Sequence, residues 1–303
     1  MIKPDLSVNI AGVQLKNPVM TASGTFGSGR EYGEYLDLNQ LGAVVTKGVA
    51  NIPWKGNDGV RVAEVYGGVL NSVGLQNPGI DEFIKKDIPF LRQYDTKIIV
   101  NIAGRTLEDY CQVVEALSHE DIDMLELNIS CPNVKEGGVA FGTNPQMVHQ
   151  VTSEVKRRAK QPLIVKLSPN VTDIVEIAKA AEAAGADALS LINTLLGMAI
   201  DIRKRKPILG NVVGGLSGPA IKPVALRMVY QVARSVKVPI IGMGGIMSGE
   251  DAVEFLLAGA TGVAVGTANF VNPAATTSVI KGIEDYLIDQ KESSVNNLIG
   301  KLK

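Results

Sequence analysis

The sequence repeats one phrase along its length: a short apolar, β-branched run, a tight turn, then a helical pattern. Eight such runs occur, at residues 18–23, 43–48, 97–103, 124–130, 163–168, 188–193, 239–243 and 262–266. Each is almost continuously apolar, as expected of parallel strands buried on both faces. Helical windows separate them at 31–40, 81–93, 107–119, 145–160, 173–184, 219–236 and 249–258, with a last one at 273–289. Thr106 with Asp109 and Ser248 with Asp251 have capping-box spacing. Gly185 and Gly259 stand where a helix must end in a left-handed residue. Strict alternation of eight strands and eight helices selects the α/β class and a (β/α)8 TIM barrel. The competing pattern is an open doubly wound sheet. The whole chain, 1–303, reads as a single domain.

Three segments stand outside the phrase. Residues 7–16 alternate and predict an N-terminal hairpin placed to plug the foot of the barrel. Residues 51–79 and 195–218 are long loop insertions after the second and sixth strands. Both lie at the C-terminal face, where barrels build their sites.

Composition narrows the function classes. With 30 Lys and Arg against 31 Asp and Glu, the chain has no footprint for nucleic acid or an anionic membrane. Its opening, Met1 to Ser7, lacks an apolar signal segment, and no run reaches ~18 apolar residues. With two cysteines there is no disulfide framework, so the expected compartment is the reducing cytoplasm. An iron–sulfur cluster usually takes four thiolates, which this chain does not possess. No metal is expected, because Cys111, His119, Cys131 and His149 show none of the short ligand spacings.

Polar residues collect where the strands should be apolar. The second run ends in Lys47-Gly48, the third carries Asn101, and the fourth carries Asn128 and leads to Cys131 and Asn133. The fifth carries Lys166, and the sixth leads into Ile192-Asn193-Thr194. A lone rim lysine can simply snorkel; two lysines and three asparagines at equivalent strand ends point instead to a ligand. Converging amides, each donor and acceptor, suit a flat ring of alternating C=O and N–H groups. Lysines suit an anionic ligand or charge developing on a ring. After the seventh and eighth strands come Gly242-Met243-Gly244-Gly245 and Gly266-Thr267. Glycines there let backbone N–H groups approach a phosphate, with the next helix N-terminus adding positive potential. A dinucleotide fingerprint is incomplete, since residue 247 is Met. Cys131 precedes Pro132 and a loop through Gly137, Gly138 and Gly142 that could hinge as a lid. From the residues alone, Cys131 is either a buried small hydrophobe or a reactive thiol. Cys111, His119 and His149 fall in or at helical windows and read as structural.

The motifs together resemble the class 1 dihydroorotate dehydrogenases over essentially the whole chain. The matching stretches are Ser23-Gly24-Thr25-Phe26-Gly27, Thr46-Lys47-Gly48, Asn71 through Gly79, Asn128 through Asn133, Lys166 through Pro169, Ile192-Asn193-Thr194 and Gly242 through Ile246. Residues 193–203 and 214–223 resemble the NAD-linked catalytic subunit more than the fumarate-using homodimeric branch. The resemblance implies FMN in the barrel mouth and oxidation of dihydroorotate to orotate in pyrimidine synthesis. It implies flavin contacts from Ser23, Lys47, Gly48, Asn101, Asn128, Lys166, Ile192, Gly218, Gly244, Gly245, Gly266 and Thr267. The pyrimidine would be held by Lys47, Asn71, Ser72, Val73, Gly74, Leu75, Asn128, Asn133, Asn193 and Thr194. Cys131 would be the catalytic base, with Lys47 serving both ligands and Lys166 stabilising the negative charge of reduction. It also implies a separate electron-transfer subunit carrying FAD and a [2Fe–2S] cluster, and a dimer of this chain within a heterotetramer. The rival readings are the fumarate-dependent homodimer, a flavin-free phosphate-sugar isomerase or Schiff-base aldolase, and a non-catalytic phosphate-binding barrel.

Overall fold

The computed structural model describes residues 3–129 and 141–302. Eight strands close into a barrel: Val19–Thr21, Ala43–Val45, Lys97–Ile102, Met124–Asn128, Leu163–Lys166, Ala188–Leu191, Ile240–Met243 and Gly262–Val265. All run parallel, each beside its sequence neighbours, and Val263 of the eighth pairs with Val19 of the first. That last pairing closes the sheet and rules out the open alternative. Apart from Lys97, every residue in these strands is buried, which is why the runs are apolar throughout. Each buried Val, Leu or Ile contributes about 1.5–3 kcal/mol of transfer free energy.

The predicted hairpin is present as Val8–Ile10 paired with Val13–Leu15. Val8, Ile10 and Leu15 are buried, and the Ile10 side chain reaches the backbone of Gly262 at the foot of the eighth strand. The two insertions, predicted only as loops, join into a four-stranded antiparallel sheet. Its order is Leu195–Met198, Val213–Ser217, Gly68–Asn71, Val62–Val65, and it roofs the C-terminal face.

Two helical windows depart from expectation. Residues 31–40 form only the 3-10 turns Tyr32–Glu34 and Leu38–Gln40. Gly33 weakens a helix there, and the Asp37 side chain accepts from the Asn39 N–H and restarts the chain. In the next window, Ile80–Glu82 and Ile88–Leu91 are α-helical around a π turn, Phe83–Asp87. The widened turn falls just before Pro89, which has no N–H to give to the preceding turn. Both capping boxes form, and Gly185 and Gly259 adopt φ of +94° and +117°.

The second box holds the helix Gly249–Ala258 at the site end of the barrel. Burial pushes the Asp251 carboxyl up, but Lys222, the Met247 N–H and Ser248 outweigh it and hold the group below its ordinary value. A depressed carboxyl stabilises the fold fully above the ordinary carboxylate range, and that stabilisation disappears as pH falls through the folded value. Asp251→Asn is therefore expected to cost about 1 kcal/mol in urea unfolding at pH 7. The gap to wild type should narrow steadily on acidification, and a gap independent of pH would contradict the assignment.

Candidate active site

Register explains why the polar residues meet. Asn101 pairs with Glu126 across the third and fourth strands, Asn128 with Lys166 across the fourth and fifth, and Ser190 with Lys166 across the fifth and sixth. These side chains lie at adjoining levels near the C-terminal end of the barrel. All five are buried. Lys166 Nζ is 3.3 Å from Ser23 Oγ and 3.8 Å from Glu126 Oε2. Asn128 Nδ2 donates to Asn101 Oδ1 at 3.4 Å, and the Tyr110 hydroxyl donates to the Asn128 carbonyl at 2.8 Å. Lys47 is half-buried just past the second strand, its N–H donating to the Gly27 carbonyl at 2.8 Å.

Above this floor lies a cavity of about 490 Å³, within the range of small-molecule and cofactor sites. The segment Asn71–Leu75 forms one wall. Buried Asn77 fixes it, accepting from the Ala50 and Gly79 N–H groups and donating to the Leu75 carbonyl at 2.7 Å. Opposite, Asn193 Oδ1 accepts from the Thr194 N–H at 2.8 Å, and Asn170 Nδ2 donates to the Thr194 carbonyl at 3.0 Å. The roof strands close over these walls.

The far end is built from backbone. Gly244 and Gly245 have φ of +124° and +79°, and Gly218 has φ of +103°. A Cβ on Gly245 would stand 2.9 Å from the Lys222 backbone, and one on Gly218 would stand 2.7 Å from Gly68 Cα. Only bare backbone fits there. The Thr267 hydroxyl donates to Ser217 Oγ at 2.8 Å. The Lys222 ammonium is engaged by Asp251 at 2.6 Å and Glu254 at 3.0 Å, so charge at this end comes mainly from backbone dipoles. The helix after Thr267 is a single turn, Ala268–Val271, and adds less positive potential than the sequence pattern suggests.

Against known proteins, the family model for dihydroorotate dehydrogenase matches residues 5–287. The chain belongs to the dihydroorotate dehydrogenase family. It is 76% identical over 302 residues to the "Dihydroorotate dehydrogenase B (NAD(+)), catalytic subunit" of Alkaliphilus metalliredigens, covering all of both chains. The proteins of the same name from Alkaliphilus oremlandii and Geotalea daltonii are 74% and 60% identical, again over the full length of each. The family resemblance in the motifs is thereby borne out, and the chain is a dehydrogenase of (β/α)8 architecture.

Every site residue of the dehydrogenase expected from sequence lines this one cavity, with two exceptions. Cys131 and Asn133 lie outside the described residues, as do the loop glycines Gly137 and Gly138. Cys111 is buried in the helix Leu107–Leu117, where burial pushes its thiol above the ordinary value. His149 is exposed on the helix Pro145–Arg158, and His119 is exposed in the turn after Leu117. Among the described residues no three His, Cys, Asp or Glu side chains cluster as metal ligands, and no helix is long and apolar enough to cross a membrane. Two contributors escape a reading of strand ends. Glu126 is a charge in the middle of an apolar run, the same signal that marked Lys166. Ser217 carried no signal, because it faces the site only once the roof sheet has formed.

Proposed function

We propose that this chain oxidises dihydroorotate to orotate with FMN in the barrel mouth, and that a separate subunit carries the electrons to NAD+. The carrying observation is that amides, lysines and a bare-backbone cradle, spread over the barrel strands, converge on a single cavity. The cradle at Gly218, Gly244 and Gly245 suits the flavin phosphate, with Gly266 and Thr267 beside it. Ser23, Gly48, Asn101, Asn128 and Ile192 surround the ring system. FMN, when bound, accepts a hydride.

This chain's own residues do the rest. Asn71 through Leu75, with Asn128, Asn133, Asn193 and Thr194, match the alternating C=O and N–H groups of the pyrimidine. Cys131 takes the proton from the ring carbon beside a carbonyl, while the neighbouring carbon loses hydride. Lys47 offers positive charge to both ligands, and Lys166 sets its ammonium where reduction adds negative charge. The relatives' names specify NAD(+) and a catalytic subunit. Two cysteines fall short of the four thiolates an iron–sulfur cluster usually takes, which supports placing an FAD and [2Fe–2S] relay on a partner. Exposed apolar side chains on the roof and its flank, including Met198, Ile200, Ile202, Phe270 and Val271, support a surface that another chain covers. The assembly expected is a dimer of this chain flanked by two electron-transfer subunits.

The testing experiment is anaerobic. The purified chain, loaded with FMN, should be yellow and should bleach on addition of dihydroorotate without any partner. A chain that stays colourless after FMN is added would overturn the cofactor assignment, and one that binds flavin but does not bleach would overturn the substrate.

A further inference from the structure

Glu126 stands in the fourth barrel strand with 1% of its surface exposed, among apolar neighbours. Barrel interiors are ordinarily filled by layers of Val, Ile and Leu. A buried ion pair is often no more stabilising than well-packed apolar residues of the same volume. Stability alone therefore gives little reason for a carboxylate here.

Its contacts are directed. Oε1 accepts from Ser190 Oγ at 2.8 Å. Oε2 accepts from Asn101 Nδ2 at 2.5 Å and lies 3.8 Å from Lys166 Nζ, an ion pair too long for a hydrogen bond. The four residues come from the third, fourth, fifth and sixth strands, adjacent in the barrel. By taking the Asn101 N–H, Glu126 leaves Asn101 Oδ1 to accept from Asn128, which fixes both amides that face the cavity. It also sets the counter-charge beneath the Lys166 ammonium, whose other contact is Ser23. Lys166, Asn101 and Asn128 line the cavity, whereas Glu126 lies behind them.

We propose that Glu126 is a positioning residue: it holds Lys166 and Asn101 against the flavin ring and, by offsetting the Lys166 charge, sets the reduction potential of the bound cofactor. The inference rests on the reading that this cavity holds FMN. Removing the carboxylate charge leaves a net positive charge under the ring and favours the reduced form. The expected effect is about tenfold in the two-electron equilibrium, or about 30 mV upward, the scale of one unit charge about 12 Å away at an effective dielectric constant of about 20.

The test uses the full chain in two arms. In the first, FMN-loaded wild type, Glu126→Gln and Glu126→Asp are titrated anaerobically against reference dyes. Glu126→Gln should shift upward by about that amount, while Glu126→Asp, which keeps the charge, stays near wild type. A wild-type potential in Glu126→Gln overturns the tuning role. The second arm is thermal unfolding of the flavin-free chain for Glu126→Gln, Lys166→Met and the double variant. The double variant should unfold at a higher temperature than the sum of the single shifts, because the lone buried ammonium has gone. Additive shifts would overturn the pairing. A wild type that takes no flavin refutes the proposed function alone, since the second arm still judges the pair.

Discussion

Cys131→Ala should bind FMN as wild type does, yet its flavin should be reduced by dihydroorotate about 100-fold more slowly or worse. The residue is three positions beyond Asn128, within about 10 Å of chain. The described structure resumes at Phe141, which meets the Tyr110 ring at 6.2 Å between centroids, and Tyr110 also holds the Asn128 carbonyl. The described residues on either side of this segment thus meet at Tyr110, beside Asn128, which lines the cavity. The cradle at Gly244 and Gly245 is built from other elements, so losing the thiol leaves cofactor affinity alone. Cys131→Ser should also be slow but should gain on wild type as pH rises, since a hydroxyl gives up its proton far less readily than a thiol. Alkylation offers an independent check. Burial pushes the Cys111 thiol up, so the fast-reacting thiol of the wild type should be Cys131, protected by orotate. Normal turnover by Cys131→Ala would remove the residue from the chemistry.

What could be read in advance follows from which features are local. A parallel strand buried on both faces must be apolar for its whole length, so Lys166 or Asn128 in such a run is conspicuous without any structure. The same argument covers Glu126, yet attention to strand ends passes over it, because its partners Asn101 and Ser190 become partners only through register. Capping boxes are legible because donor and acceptor are three residues apart. The roof sheet is not, since Gly215 pairs with Asn71 from an insertion 144 residues earlier and neither stretch alternates cleanly enough to announce a strand. Residues 31–40 show the opposite failure. Their apolar spacing suits a helix, but Gly33 and the Asp37 side chain offer the backbone cheaper local hydrogen bonds. Lining residues at strand ends are therefore legible from local pattern, Asn71 through Leu75 and Gly218 only through the family resemblance, and Ser217, which depends on the roof pairing, from neither.

Gly245→Ala is expected to weaken FMN binding by about 100-fold or more, equivalent to about 2.7 kcal/mol. Gly245 has φ of +79°, and its added Cβ would meet Lys222 Cβ at 2.7 Å and the Lys222 backbone at 2.9 Å. Neither neighbour is the free end of a flexible chain. The loop must move away, taking with it the backbone of Gly244 and Gly245 that lines the cavity. Gly300→Ala separates this displacement from conformational strain. Gly300 has a similar φ, +70°, but nothing lies within 4 Å of its Cβ position, and it sits far along the chain in the C-terminal segment. That variant should cost about 1 kcal/mol of stability and leave flavin affinity unchanged. Fluorescence titration of the flavin-free chains measures both affinities, and urea unfolding measures both stabilities. If Gly245→Ala lost stability but bound FMN as tightly as Gly300→Ala, the phosphate would have to sit elsewhere. If it lost affinity well beyond its loss of stability, close backbone approach at Gly245 would be established as a component of the cofactor site.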